Sequence, residues 1–129
     1  MFKVDHIDHI AITVSNLEES ISWYQEVLGL ERQYEDEWEG PPIMLCAGST
    51  CVALFSAEYK EPPKNDTNSI KMLHIAFKLD QINFIQAQKD LKGLNISYRI
   101  AEHENCHSIY FDDPDGHKIE LTCYDLVKG

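Results

Sequence analysis

The sequence is poor in basic residues, with 11 lysines and arginines against 22 aspartates and glutamates, so its formal net charge is −11. Such an acidic surface repels the phosphates of nucleic acids and the anionic headgroups of lipids. No apolar run approaches the roughly 20 residues of a membrane-spanning helix, and the N-terminus lacks the apolar segment of a signal peptide. We therefore expect a cytoplasmic protein with neither nucleic-acid nor membrane partners.

Cysteine is also scarce. The four cysteines, Cys46, Cys51, Cys106 and Cys123, form no Cys-x-x-Cys motif, and this number is small for a disulfide-based scaffold. We expect reduced thiols, as is usual in the cytoplasm. Glycine-rich phosphate loops are lacking too, whereas 129 residues with 43% hydrophobic content suffice for one folded domain.

An internal repeat organises the chain. Residues 7–14 read Ile-Asp-His-Ile-Ala-Ile-Thr-Val and residues 72–79 read Met-Leu-His-Ile-Ala-Phe-Lys-Leu, so His-Ile-Ala recurs at an offset of 65. Alternation of side chains in both segments predicts a strand in each. The equal offset indicates two structurally equivalent halves.

A helical pattern follows each of these strands. The first helix is predicted over residues 17–28, after the capping residues Ser15-Asn16, and Gly29 ends it as a glycine just beyond a helix does. The second helix is predicted over residues 81–91, after Asp80, and ends near Gly93 with a weaker apolar stripe.

Shorter strand patterns follow each helix and complete two β-α-β-β-β modules. They lie near residues 30–36, 43–47 and 51–57 in the first half, and near 95–101, 107–112 and 118–124 in the second. We therefore predict a single domain over residues 1–129, with module one at about 5–58 and module two at about 72–125. The aperiodic, proline-containing stretch 59–71 is the predicted linker.

Three side chains of these strands have the chemistry of a metal site. Because side chains alternate along a strand, His9, His74 and Glu120 are expected on the faces turned away from the helices. The turn sequence at 112–116 predicts a hairpin that places Tyr110 beside Glu120. Two imidazoles and a carboxylate typically bind a catalytic divalent metal with open coordination positions. The alternative is ordinary half-buried histidines and a strand-edge carboxylate.

These features resemble the vicinal oxygen chelate superfamily, the group of glyoxalases, bleomycin-resistance proteins and extradiol dioxygenases. The resemblance rests on Ile-Asp-His-Ile-Ala-Ile at 7–12, Trp23-Tyr24 with Leu28-Gly29-Leu30, Leu-His-Ile-Ala-Phe at 73–77, and Tyr-Phe-Asp-Asp-Pro-Asp-Gly-His-Lys-Ile-Glu-Leu at 110–121. It implies an α+β fold in which two modules form a curved mixed sheet around a cavity. It also implies His9, His74 and Glu120 as ligands of a divalent metal, which would be Fe, Mn, Ni or Zn.

One position departs from the family's pattern. The family's fourth ligand position, in the first module, falls on Ala53, or on Val52 with a shift of one residue, and neither side chain binds metal. The remaining three ligands resemble extradiol dioxygenases and fosfomycin-modifying thiol transferases more than metal-dependent glyoxalases. Against the fosfomycin enzymes, Ala11 stands where they carry threonine, and the chain ends at Lys128-Gly129 without their terminal arginine.

The extradiol pattern is matched in part. His103, Ile109-Tyr110, the turn at 113–116 and Glu120 fit most of it, but residues 58–71 contain no histidine for the expected distal acid–base role. Lyase or isomerase, ring-cleaving dioxygenase and transferase chemistry therefore all stay open.

The resemblance thus implies a metal-dependent enzyme acting on a small oxygen-rich organic molecule, and commonly a homodimer in chains of this length. Tyr110 is expected to donate a hydrogen bond or act as a general acid, and either Arg99 or Lys78 to pair with an anionic substrate. The roles of His103, His107 and Trp38 stay open. The alternative function is a metal-free protein that sequesters a toxic ligand, as bleomycin-resistance proteins do.

Overall fold

The computed structural model describes residues 1–37, 39–58, 72–102 and 104–125. The chain divides into two compact units, Met1–Pro63 and Lys64–Gly129. That these units together make one domain stays a prediction. The predicted linker at 59–71, and the candidates Trp38 and His103, lie outside the described residues.

The first unit contains one helix and one four-stranded mixed sheet. Its elements are β1 (His9–Val14), α1 (Leu17–Leu28), β2 (Glu31–Gln33), β3 (Ile43–Ala47) and β4 (Thr50–Ser56), in the strand order β1-β4-β3-β2. β1 and β4 pair in parallel, and the other pairs are antiparallel. The predicted β-α-β-β-β order is confirmed. β2 is shorter than predicted because Tyr34, at φ 62°, takes a left-handed conformation that ends the extended run.

Helix α1 has the bounds that the sequence predicts. The side chain of Asn16 accepts a hydrogen bond from the backbone N–H of Glu19 at 3.0 Å, which satisfies one of the free donors of the first turn. Gly29 follows the helix in the left-handed region, at φ 64°, a conformation that costs glycine little. Local capping chemistry therefore accounts for both ends.

The second unit repeats this arrangement. Its elements are β5 (Ile75–Lys78), α2 (Gln81–Gly93), β6 (Arg99–Glu102), β7 (His107–Asp112) and β8 (Lys118–Cys123), in the order β5-β8-β7-β6. The parallel pair is β5–β8, and the other two pairs are antiparallel. The second β-α-β-β-β module is confirmed, as is the hairpin over 107–124.

Helix α2 ends at Gly93, near which the sequence predicts its end. Asp80 caps it, accepting from the backbone N–H of Asn83 at 2.8 Å. The helix includes Gly93, and the left-handed residue after it is Asn95, at φ 60°. Asparagine tolerates this conformation better than most residues, so the left-handed residue lies two positions beyond Gly93.

The central strands of each sheet carry its core residues. Leu54 in the first unit, and Ile109 and Ile119 in the second, are each fully buried. Glu120, next to Ile119, points to the opposite face, and its side chain is 12% exposed. Across the described ranges, no helix combines the length and apolar character needed to cross a membrane.

The expectation of reduced thiols is wrong for one pair of cysteines. Cys46 and Cys51 face each other across the β3–β4 hairpin and form a disulfide, with their Cα atoms 4.0 Å apart. The N–H of Cys51 donates to the carbonyl of Asp8, away from β3, at 2.9 Å. The two cysteines are therefore a non-hydrogen-bonded pair, in which side chains come closest. Cys106 and Cys123 are free thiols.

Candidate functional site

The closest contact between predicted site residues joins His74 and Glu120. Ala76 pairs with Glu120 across β5 and β8, and His74 lies two residues before Ala76, on the same face. The Nε2 of His74 is 2.9 Å from Oε1 of Glu120. A carboxylate accepts only, so Nε2–H of His74 is the donor. The parallel register thus unites two of the three predicted ligands.

Two hydroxyl groups orient the other oxygen of this carboxylate. Ser108 Oγ donates to Oε2 of Glu120 at 2.8 Å. Ser108 Oγ also lies 3.2 Å from Oγ1 of Thr122, and since a hydroxyl has one hydrogen, Thr122 must be the donor in that bond. Both hydroxyl-bearing residues are buried. The chain Thr122–Ser108–Glu120 therefore holds Oε2 and leaves Oε1 turned towards His74.

Tyr110 and Arg99 extend the same face towards the edge of the second sheet. Tyr110 pairs with Glu120 across β7 and β8, which confirms the predicted neighbours. Its ring centre lies 6.0 Å from that of His74, nearly edge-to-face. The guanidinium carbon of Arg99 lies 4.6 Å from the Tyr110 ring centre, within cation–π range. A cation and a phenol thus flank the histidine–carboxylate pair.

The third predicted ligand, His9, belongs to the first unit. Its Nδ1 donates to Oδ2 of Asp8 at 2.8 Å, which leaves Nε2 as the nitrogen with a free lone pair. His9 side-chain exposure is 45%. A histidine whose Nδ1–H is held by a carboxylate is a common arrangement in metal sites.

The two sheets also identify the position that corresponds to Glu120 in the first unit. His9 lies two residues before Ala11, which pairs with Ala53; His74 lies two residues before Ala76, which pairs with Glu120. Ala53, not Val52, is therefore the equivalent of Glu120. An alanine methyl cannot bind metal, so the first unit offers one ligand at these positions and the second unit offers two.

The donor set of the second unit fits a divalent ion. An imidazole nitrogen and a carboxylate oxygen are donors that divalent ions bind, and Nε2 and Oε1 converge to 2.9 Å. A cation would replace the proton that His74 and Glu120 now share. Within each unit, the described residues include no cluster of three or more His, Cys, Asp or Glu side chains able to hold a metal ion. The second unit therefore supplies two ligands, His74 and Glu120, that fit a divalent ion.

Several other candidates lie elsewhere. His107 pairs with Cys123 at the start of β7 and shares a face with Ile109, opposite to Tyr110 and Glu120. His6 is exposed and bonds through Nδ1 to a neighbouring backbone carbonyl. Lys78 is on the face of Glu120 but lies over the ring of Tyr124, at 6.0 Å. Of the two predicted cations, Arg99 is the one in contact with Tyr110.

Sequence reasoning missed three supporting residues. Asp8 directly precedes His9, and a carboxylate beside a candidate ligand was an available signal. Ser108 and Thr122 share the parity of Tyr110 and Glu120 and pair across the predicted hairpin, so strand alternation alone could have identified both.

Comparison with known proteins establishes the family. Residues 6–121 match the model of the Glyoxalase/Bleomycin resistance protein/Dioxygenase superfamily. The chain therefore belongs to this superfamily, and the resemblance predicted from its motifs is confirmed.

Individual relatives agree with this assignment. The chain is 34% identical over 122 residues to metallothiol transferase FosB of Staphylococcus epidermidis, covering 92% of this chain and 82% of the relative. It is 27% identical over 122 residues to glutathione transferase FosA of Serratia marcescens, covering 94% and 82%. The crystal structure of lactoylglutathione lyase from Agrobacterium tumefaciens superposes with a TM-score of 0.75 at 20% identity, covering 98% of both chains. At that identity the last match supports the fold alone.

Proposed function

We propose that this protein is a metal-dependent enzyme that acts on a small, oxygen-rich organic substrate. The observation that carries the proposal is the 2.9 Å approach of His74 Nε2 to Glu120 Oε1, in a chain of a superfamily that includes metal-dependent relatives. His9 is the proposed third ligand, with Nε2 left available by its bond to Asp8. The ion is Fe, Mn, Ni or Zn.

The residues around this site have distinct proposed roles. When bound, a divalent ion polarises substrate oxygens and stabilises negative charge that develops on them. Tyr110 donates a hydrogen bond to a substrate oxygen on which negative charge develops, or acts as a general acid. Arg99, stacked on the Tyr110 ring, binds an anionic group of the substrate. Ser108 keeps the Glu120 carboxylate oriented.

The names of the relatives favour one reaction class for the first assays. Both curated relatives are transferases that use a thiol, by their names, so we propose addition of a thiol to an electrophilic substrate ahead of lyase, isomerase or ring-cleaving dioxygenase chemistry. Ala11 replaces the threonine expected of fosfomycin enzymes. A substrate with an anionic group other than a phosphonate is therefore the proposed target.

The deciding experiment is the metal content of untagged protein beside His9→Ala and Glu120→Ala. About one equivalent of metal in the parent protein, lost in both variants, supports the proposal. Two control variants should retain the metal. They are Ile7→Ala, just before β1, and Glu102→Ala, on β6. Thiol addition is assayed first with whichever ion is found; iron or manganese then directs the next assays to oxygenase chemistry, and nickel or zinc to lyase or isomerase chemistry.

The same variants test the proposed homodimer. If His9 of one subunit completes the site of another, refolding His9→Ala together with Glu120→Ala restores one of the two metal sites in every mixed dimer. A site completed within one chain regains none.

A metal-free protein that sequesters a ligand is the alternative function. Its support is the net charge of −11, which favours a cationic ligand. Failure of the purified protein to bind any of the four ions would overturn the enzyme proposal and favour this alternative.

A further inference from the structure

A disulfide lies directly beside the candidate ligand His9 in the first unit. His9 pairs with Cys51 in the parallel register of β1 and β4, and Cys51 is bonded to Cys46 on β3. A covalent bond therefore ties β3 to the strand that flanks β1. We propose that the Cys46–Cys51 disulfide positions His9, so that metal binding through His9 depends on whether this disulfide is closed.

Hydrogen bonds connect the disulfide to the His9 side chain. The N–H of Cys51 donates to the carbonyl of Asp8 at 2.9 Å, and the carboxylate of Asp8 accepts from Nδ1 of His9 at 2.8 Å. Thr50 Oγ1 adds a bond to the carbonyl of Ile7 at 3.1 Å. The segment that carries His9 is therefore bonded directly to Thr50 and Cys51, and displacement of Cys51 moves both the backbone and the partner of His9.

Reduction of the disulfide displaces Cys51 because the two cysteines lie in a closely packed part of the core. Cys46 and Cys51, exposed by 2% and 7%, form one buried cluster with Met44 and Ala53, against which Phe55 packs. Two thiols need more room than one disulfide, because sulfur atoms that are not bonded stay at van der Waals separation. Close-packed cores hold little spare space, and additional volume is accommodated by strain and backbone shifts. Opening the disulfide therefore pushes β4 away from β3.

The chemistry is ordinary two-electron thiol–disulfide exchange. Tris(2-carboxyethyl)phosphine and one water convert the disulfide into two thiols, and the phosphine becomes its oxide. In the reverse direction, two protein thiols and one oxidised glutathione yield the protein disulfide and two molecules of reduced glutathione.

The first measurement counts thiols in denatured protein. After treatment with oxidised glutathione we expect two reactive thiols, Cys106 and Cys123, and four after phosphine. Mass spectrometry should assign the protected pair to Cys46 and Cys51. A protein in which this pair stays reduced under the oxidant overturns the proposal.

The second measurement compares Mn²⁺ affinity in the two redox states. We expect the reduced protein to bind Mn²⁺ about 10-fold more weakly, as happens when the support of a metal ligand is lost. The double variant Cys46→Ser/Cys51→Ser should bind Mn²⁺ as weakly as the reduced protein does, and phosphine should not change its affinity. In His9→Ala, which is expected to lose its metal on purification, the residual Mn²⁺ affinity should be equally weak in the two redox states, because the effect acts through the missing side chain. Equal affinity of the two states in the parent protein overturns the proposal.

The affinity comparison rests on the proposed function, whereas amide hydrogen exchange does not. In protein without metal, the Cys51 amide bonded to Asp8 should exchange several-fold faster after reduction. Unchanged exchange overturns the proposed link between the disulfide and His9. Faster exchange in a protein that binds no metal in either redox state would support the link between the disulfide and His9 and contradict only the metal-dependent function.

Discussion

Nε2 of His74 lies 2.9 Å from Oε1 of Glu120, although His74 directly precedes the first strand of the second unit and Glu120 lies on its last strand. Their parallel pairing in the sheet, through Ala76 and Glu120, brings them together. The pair is the second unit's contribution to the proposed metal site. Separate substitutions test the ligand, the group that orients it, the contact with substrate and the stability of the fold.

Replacing Glu120 by glutamine tests the ligand. An amide keeps the size of the side chain but loses its charge, so Mn²⁺ affinity should fall by more than the roughly 10–100-fold that follows loss of a residue supporting a ligand. Isothermal titration measures this change. Glu102→Gln, an exposed change on β6, is the control; equal effects of the two substitutions would contradict the assignment.

Replacing Thr122 by valine tests the hydroxyl chain that orients Glu120. Valine is close in shape to threonine but cannot donate to Ser108, so Mn²⁺ affinity should fall by about 10-fold. Thr122→Ser restores the donor and should bind nearly as the parent does. If serine and valine behave alike, the lost hydroxyl is not the cause.

Replacing Arg99 by glutamine tests the proposed anion contact. A hydrogen bond to a charged group is worth about 1.5 kcal/mol or more, so the Mn²⁺-loaded protein should bind inorganic phosphate roughly 10-fold more weakly. Competition by phosphate against a coloured anion gives the measurement. Lys92→Gln, on α2, removes the same charge elsewhere, and a matching loss there would indicate a general effect of charge.

Replacing Asp113 by alanine tests the turn that sets the β7–β8 register. The buried Asp113 carboxylate accepts from the backbone N–H groups of Asp115 and His117 at 2.9 and 2.8 Å. Losing this acceptor removes two hydrogen bonds of the turn and should lower the free energy of unfolding by about 1–3 kcal/mol. Urea denaturation measures it, with the exposed Asp125→Ala as the control. A change below about 0.5 kcal/mol would contradict this role.

Much of the fold could be predicted because its signals are local. Asn16 and Gly29 define the ends of α1 through capping chemistry that acts within one turn. The turn after β7 determines which residue faces Glu120, and Tyr110 follows from counting along two strands. The short strand β2 was harder, because the left-handed turn at Tyr34 has no glycine to indicate it.

Contacts between distant residues could be predicted less well. Cys46 and Cys51 are paired in a hairpin, and their side chains come closest if the two residues bond to outer strands and not to each other. This choice decides whether the disulfide can form. That choice requires knowing that β1 lies beside β4. The same pairing distinguishes Ala53 from Val52 as the counterpart of Glu120.

The sequence by itself determined the repeated modules, the faces of their strands and the residue types at the candidate site. Period-two alternation and capping are set by neighbouring residues along the chain, so they need no tertiary information. Only the tertiary structure decided which atoms meet: His74 with Glu120, Ser108 with its other oxygen, and Cys51 with the segment carrying His9. Those contacts depend on the register of strands that are far apart in the chain, and register is a property of the assembled sheet.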